Sequence, residues 1–171
     1  ADDDAKTVTL TGGATVQLFG QSYGKFHVGS NGYVAFVVPD KSYSGTLVNH
    51  FALPRISMLF ADLNPPAAGT VSWRQLSDRA AVTYSGIRAW GQTTTNSFQI
   101  EMFFDGTIRL TWLSIAYTNG LAGLSAGEGT PVGFTETNLS AYGACGAASP
   151  VAVTMTSTAS ASTNVSPIPV T

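Results

Sequence analysis

Residues 97–115, SFQIEMFFDGTIRLTWLSI, alternate apolar and polar side chains on both sides of an Asp-Gly turn signal. This pattern predicts a β-hairpin. A three-residue loop, Phe104-Asp105-Gly106, pairs like with like across the hairpin: Phe98 with Trp112, Ile100 with Leu110, Met102 with Ile108, Gln99 with Thr111, and Glu101 with Arg109. A two-residue loop would place Glu101 opposite Leu110, because a one-residue slip turns every side chain to the other face. We therefore expect the longer loop, a left-handed Gly106, and one apolar face that a second sheet covers.

A second β-hairpin with a three-residue loop is predicted earlier in the chain, in residues 25–38, KFHVGSNGYVAFVV. Pairing Val28 with Val34 and Phe26 with Phe36 again requires a three-residue loop, here residues 30–32. Further β-prone runs are 7–10, 14–18, 55–60, 70–76, 79–87, 121–124 and 151–155. No long window keeps a helical period. Nine to eleven short strands predict an all-β, two-sheet antiparallel β-sandwich or jelly roll with essentially no long helix.

Domain organisation follows from where this alternation stops. Residues 1–155 are predicted to form a single β-sandwich domain, and residues 156–171, rich in Ser, Thr, Ala and Pro, a linker or a strand exchanged between copies. The chain begins Ala1-Asp2-Asp3-Asp4 without a methionine, which fits a mature form after signal cleavage or an excised module. Together with the low charge and the abundance of Thr, Ser and Gly, this predicts a secreted, extracellular or cell-surface protein.

The composition also excludes several function classes. Charged residues are 11% of the chain, the net charge is −2 and the eight Lys and Arg residues are scattered, so neither nucleic acid nor an anionic membrane is an expected partner. No apolar run is long enough to span a bilayer. The single cysteine, Cys145, cannot form an internal disulfide. His27, on the polar face of its predicted hairpin, is expected to be solvated. Trp73 and Trp112 lie in alternating runs and are expected in the core.

One catalytic motif occurs, Gly-Leu-Ser-Ala-Gly at residues 123–127, which has the form of a nucleophile elbow around Ser125. The elbow needs a strand turning into a helix and a histidine after the serine. Gly129 and Pro131 prevent the helix, and both histidines precede Ser125. Cys145 has no positioned base nearby in sequence. We therefore expect no catalytic residues and no enzyme activity.

Two oxygen-bearing side chains alternate after the run at 55–60. Asp62 and Asn64 offer two hard oxygens of the kind calcium prefers, with Asp2, Asp3 and Asp4 or Asp105 as further candidates. The structural alternative is that they cap the loop through Asx turns. Calcium is accordingly a possible cofactor, although the sequence has no spaced calcium-loop motif.

A loop tryptophan offers a second candidate site. Trp90 lies in a Gly- and Thr-rich loop with Arg88, Gln92 and Asn96 nearby, and sugars bind to such a flat apolar ring flanked by planar hydrogen-bonding groups. The alternative is a lid folded back onto the core. Residues 138–140 and 164–166 are glycosylation sequons centred on Asn138 and Asn164, relevant only in a eukaryotic source.

The segments FHVGSNGYVAF, LPRISMLFADLNP, GTVSW, DRAAVTYSGI and NSFQIEMFFDGTIRLTW carry a family resemblance. Over residues 25–125 the chain resembles β-sandwich accessory modules of secreted multidomain bacterial proteins and is distantly similar to the nidogen-type extracellular domain. The resemblance implies a non-catalytic module, without fixed catalytic residues, appended to peptidases, glycoside hydrolases or surface proteins. Of its polar positions, Asp62 matches a recurrent one.

Two functions remain open at this point. The first is a non-catalytic extracellular protein acting in adhesion, surface structure or self-assembly into a filament or array, with copies of itself or neighbouring extracellular modules as partners. The alternative is a carbohydrate-binding module of a secreted polysaccharide-degrading enzyme, with a polysaccharide as partner.

Overall fold

A computed structural model of the chain describes residues 1–139 and the backbone of residues 151–156. The described residues form one short helix, α1 (Leu47–Phe51), and thirteen strands. The strands are β1 (Ala5–Thr9), β2 (Val16–Leu18), β3 (Gln21–Tyr23), β4 (Lys25–Gly29), β5 (Tyr33–Ala35), β6 (Pro54–Phe60), β7 (Leu63–Asn64), β8 (Thr70–Gln75), β9 (Arg79–Ala89), β10 (Thr95–Phe103), β11 (Thr107–Ser114), β12 (Leu121–Ala126) and β13 (Val151–Thr156).

Two antiparallel sheets make the sandwich. Sheet A has the order β1-β4-β5-β6-β12, and sheet C has the order β13-β11-β10-β9-β7, with β8 also paired to β9. The strands β2 and β3 form sheet B, a separate two-stranded sheet. The fold is thus all-β and antiparallel without a long helix, as the alternation in the sequence predicts, with slightly more strands than expected.

The central hairpin has the predicted register. Strands β10 and β11 pair Phe98 with Trp112, Ile100 with Leu110 and Met102 with Ile108, and the loop at 104–106 ends in a left-handed Gly106. The second hairpin, β4 to β5, pairs Val28 with Val34 around the loop at 30–32, also as predicted. In the central hairpin, polar and apolar side chains therefore separate between the two faces of sheet C.

The core lies between the sheets. Fully buried apolar side chains from both sheets fill it, including Phe26, Val34, Ile56, Phe98, Ile100 and Leu110. Two side chains of sheet C also bond to the backbone of sheet A. The Tyr84 hydroxyl donates to the carbonyls of Gly29 and Tyr33, at 2.6 and 3.0 Å, and the Trp112 indole donates to the Met58 carbonyl at 3.1 Å.

The loop of the β4–β5 hairpin is fixed by Asn31 and Gly32. Asn31 is buried, and its amide donates to Asp3 and to the Ser42 carbonyl while its oxygen accepts from the Leu63 amide. Gly32 has a φ of 80° and packs so closely on the Leu59 backbone that any Cβ would collide with the Leu59 carbonyl oxygen. This turn ties the N-terminus to the segment after β6.

Two local expectations are corrected. His27 is buried, at 3% exposure, because residues following β5 cover its face of the sheet. Trp73 is 46% exposed, because β8 pairs with β9 alone among the described strands and its other edge is unpaired. The five-residue helix α1 is not among the predicted elements, and its first turn is capped by the Thr46 hydroxyl accepting from the Asn49 amide.

The C-terminal alternation at 151–155 is confirmed as strand β13, which pairs with β11 of the same chain. Of the predicted extension at 156–171, Thr156 ends β13 and residues 157–171 lie outside the described residues, as do Cys145 and the sequon at Asn164. None of the helical turns in the described part of the chain has the length and apolar content of a transmembrane span.

Candidate functional site

Trp90 lies at one end of sheet C, where the short strand β7 pairs with the end of β9. Leu63 faces Ala89 and Asn64 faces Arg88 in this pairing, and the Trp90 amide donates to the Asp62 carbonyl at 2.8 Å. The Trp90 side chain is 59% exposed. The Trp90 backbone therefore adjoins that of Asp62, and the exposed indole does not fold back as a lid on the core.

Three carboxylates gather next to this position. Asp2, Asp3 and Asp62 each present an oxygen within 4.8 Å of the others, although Asp62 is about sixty residues away in the sequence. Each of the three side chains is half-buried. Trp90 and these three aspartates are called the Trp90 surface below.

The electrostatics of this surface favour a cation. Burial, and then the charges of Asp3 and Asp2, raise the pKa of Asp62. One oxygen of Asp2 is buried with no hydrogen-bond partner, whereas Asp3 accepts from the Asn31 amide at 2.9 Å. Calcium takes six to eight oxygen ligands, so these carboxylates could supply part of such a shell, with the remainder from backbone carbonyls or water.

The other oxygen ligands considered from the sequence lie elsewhere or are engaged. Asn64 accepts from the Ala67 amide, three residues further along the chain, at 3.1 Å and so stabilises the turn after β7. Asp4 forms an ion pair with Lys41 at 3.1 Å. Asp105 accepts from the Thr107 amide in the hairpin loop at 2.8 Å. The structure thus brings Asp2 and Asp3 to Asp62, while the side-chain oxygen of Asn64 accepts from the Ala67 amide.

The residues proposed to flank Trp90 differ in their exposure. Gln92 is exposed, and Arg88 is half-buried with its Nε atom lacking a partner. Asn96 is fully buried, where its amide donates to the Ile87 carbonyl and its oxygen accepts from the amides of residues 116 and 117. Asn96 thus holds the chain that follows β11, and its polar atoms face the interior.

Ser125 lies in strand β12, with no helix following it in the described residues. It is fully buried, and its hydroxyl accepts from the Gly127 amide at 3.0 Å. The Gly-Leu-Ser-Ala-Gly segment therefore forms a strand and turn where an elbow would need a strand and helix.

A serine–histidine pair that the sequence did not indicate occurs at Ser57 and His50, whose Oγ and Nδ1 atoms are 2.9 Å apart. Both residues are buried, so no substrate reaches them in this conformation. Burial, and next the positive charge of Arg55, lower the pKa of His50 to about 4. The pair is therefore a neutral, internally bonded part of the packing.

Two antiparallel sheets packed face to face define the chain as an all-β sandwich protein. The NIDO-related (nidogen-related) family matches over residues 1–171, so the chain belongs to this family. Nidogen-related domains are extracellular, non-enzymatic modules. No curated protein and no solved structure shows significant similarity to the chain.

Proposed function

We propose that the protein is a secreted, non-catalytic adhesion module that binds a glycan at the Trp90 surface. The observation that supports this most directly is the exposed Trp90 indole, whose backbone bonds to that of Asp62, one of three clustered carboxylates. Ligand sites combine an apolar platform with a few convergent polar groups. A sugar ring has one apolar face that can stack on an indole and hydroxyl groups that bind oxygen-ligated cations or amides.

Calcium is proposed as the cation of this surface. Three half-buried carboxylates repel one another unless a cation or protons compensate their charge. Burial first, and then the charges of Asp3 and Asp2, raise the pKa of Asp62. A calcium ion held there would leave coordination positions for sugar hydroxyls. Gln92, exposed two residues after Trp90, is proposed as a hydrogen-bonding partner of the same ligand.

Retention on insoluble polysaccharides tests the proposal. Wild-type protein is incubated with cellulose, chitin, xylan and peptidoglycan, with calcium or with a chelator, and the bound fraction is measured. We expect at least one polysaccharide to retain the protein, and Trp90→Ala to abolish retention. Trp73→Ala is the matched control, because Trp73 is also an exposed tryptophan on sheet C. Equal loss with both variants, or no retention on any polysaccharide, would overturn the proposal.

The Trp73 control is distant from the proposed site. Trp73 pairs with Val82 on β9, and eight residues of extended strand, about 27 Å, separate Val82 from Trp90.

A carbohydrate-binding module of a polysaccharide-degrading enzyme would use the same surface as an adhesion module. The two differ in what the full-length protein carries beside this chain, which its genomic reading frame shows.

Self-assembly through an exchanged C-terminal strand is a second proposal. The segment concerned, residues 157–171, lies outside the described residues. Strand β13, which precedes it, occupies the edge of sheet C and pairs with its own chain, and sheet edges are where a neighbouring copy can add a strand. The molecular mass in solution is measured by light scattering. Deletion of residues 157–171 should convert an assembled protein into a monomer, and a full-length protein that is already monomeric would exclude exchange.

A further inference from the structure

A segment on the outer face of sheet A is held mainly by polar contacts. Residues 37–51, here called the strap, run from the end of β5 through α1. Their large apolar side chains mostly face outward: Val37, Val38, Tyr43 and Val48 are 45% to 75% exposed. Of the apolar side chains in the strap, Phe51 is buried at its end. Apolar burial therefore contributes little to holding residues 37–46 on the sheet.

Arg55 is the anchor of the strap. Its side chain is 1% exposed, lies 4.2 Å from the Tyr33 ring centre and 4.7 Å from that of Phe60, and pairs with Asp40 of the strap at 2.7 Å. The Tyr33 hydroxyl donates to the Asp40 and Ser42 carbonyls, both at 3.0 Å. The Nε and Nη1 atoms of Arg55 are buried without hydrogen-bond partners. A buried cation with one carboxylate partner tolerates no further positive charge nearby.

Both histidines of the chain lie in this layer. His50 belongs to α1, within the strap, and bonds to Ser57 of β6. His27 lies on β4 in the same cross-strand row as Arg55, because His27 pairs with Ala35 and Ala35 pairs with Arg55. Each is buried, at 4% and 3% exposure. The Nε2 atom of His27 has no hydrogen-bond partner.

Within the described part of the chain, the groups that face the two histidines offer no compensating carboxylate. His50 faces Arg55 and Ser57 of β6 and the Leu124 backbone of β12. His27 faces Thr7 of β1, which bonds to its Nδ1 atom at 3.0 Å, Lys25 of its own strand, and the Val37 backbone of the strap. The carboxylates at the strap, Asp40 and Asp4, already pair with Arg55 and Lys41.

We infer that the strap is a pH-sensitive element: protonation of His50 and His27 releases residues 37–51 from sheet A while the two sheets stay packed together. The charge that each histidine gains would be buried beside Arg55 or Lys25 in the closed state, and it is solvated once the strap lifts. Lifting the strap exposes the guanidinium of Arg55 and the rings of Tyr33 and Phe60.

The pH dependence of strap opening follows from the protonation of the closed and open states. Burial and the Arg55 charge lower the pKa of His50 to about 4 in the closed state, and after release it returns to about 6.5. Between these values the open state binds a proton that the closed state does not, so opening is favoured as pH falls. Burial raises the pKa of Asp40, but Arg55 and Ser42 more than offset this, and the pKa is lowered overall. Asp40 therefore stays ionised while the histidines titrate, so the change in opening over this pH range comes from the histidines.

Hydrogen exchange on the full-length protein tests the inference. Protection factors, corrected for the intrinsic pH dependence of exchange, are measured from pH 7 to pH 5 for strap amides bonded within the segment, such as His50 and Asn49. We expect strap protection to fall about twentyfold over this range from His50 alone, while protection of β9 and β10 amides changes much less. Equal changes in strap and core, or an unchanged strap, would overturn the inference.

Variants distinguish histidine titration from other causes. In His50→Gln the amide keeps hydrogen-bonding capacity without a titratable group, and the pH dependence of strap protection is expected to shrink to the contribution of His27. The double variant with His27→Gln is expected to show none. A full pH dependence in the double variant would contradict the inference, and the wild-type series remains decisive if a variant fails to fold.

Discussion

The Trp90 amide donates to the Asp62 carbonyl at 2.8 Å, so the exposed indole and the carboxylate cluster are joined through the backbone. Two candidate sites that are separate in the sequence, one for a sugar and one for calcium, thus occupy one surface. This adjacency makes an ion at Asp62 detectable through the photophysics of Trp90.

Terbium, which replaces calcium in oxygen-ligated sites, is expected to show emission sensitised by Trp90. Sensitisation requires an aromatic ring close to the ion, so Trp90→Phe should remove most of the signal and Trp73→Phe should not. Addition of calcium should quench the emission by displacement. Sensitised emission that survives Trp90→Phe would place the ion elsewhere.

Calcium is also expected to stabilise the fold. At a hundredfold excess over its Kd a ligand adds about 2.7 kcal/mol, which raises the Tm by about 5 to 10 °C for a chain of this size. Asp62→Asn should abolish the shift, whereas Asp105→Asn, in a distant loop, should keep it. Because the pKa of Asp62 is raised, the shift should fade on acidification at a higher pH than an ordinary aspartate would give. A shift retained in Asp62→Asn would contradict the site.

Asp40→Asn is expected to destabilise the protein by about 3 kcal/mol, because it leaves Arg55 buried without its counter-charge. Asp78→Asn is the control: it removes an ion pair to Arg79 at the surface and should cost under about 1 kcal/mol. Since the folded pKa of Asp40 is lowered, its stabilisation is present above the unfolded value and is lost as pH falls through the folded value. Denaturant unfolding of both variants measures this, and equal effects would contradict a special role for Arg55.

Gly32→Ala is expected to destabilise the fold by about 4 kcal/mol or more, since the added Cβ would collide with the Leu59 carbonyl. Gly12→Ala has a similar positive φ but open space around it, so it should cost only about 1 kcal/mol. Chemical denaturation of the pair separates steric closeness from backbone conformation. Similar losses in the two variants would show that the positive φ alone sets the requirement at Gly32.

Neither the wild type nor Ser125→Ala is expected to show hydrolytic turnover. The Ser125 hydroxyl is buried and bonds to the Gly127 amide, so the substitution should act on stability only. Turnover of an ester substrate by the wild type that disappears in this variant would contradict the assignment of Ser125 to the packing.

The hairpins could be predicted from the sequence because their information is local. The pairing of Phe98 with Trp112 follows from alternation and loop length alone. By contrast, the approach of Asp2 to Asp62 depends on how the N-terminus crosses the β4–β5 turn, which no periodicity encodes. The burial of His27 and Arg55 depends likewise on the strap, whose sequence resembles an ordinary loop.

The candidate site was predictable only in part for the same reason. Trp90 and Asp62 could be singled out by residue type and by their positions in polar loops. Asn96 fits the same pattern but is buried, because the segment after β11 folds over it and takes up its hydrogen bonds. Residue type identifies groups able to bind a ligand, and only the three-dimensional packing decides which of them face the solvent.

An NMR titration of the three tryptophan indole N–H signals tests the central claim most directly. The titrant is a soluble oligosaccharide of the polysaccharide that retains the protein, added in the presence of calcium. The Trp90 signal is expected to shift with saturation, while the signals of Trp73 and of Trp112, whose N–H bonds to Met58, stay in place. A shift confined to Trp73 or Trp112, or no shift at Trp90 at saturating ligand, would contradict binding at the Trp90 surface.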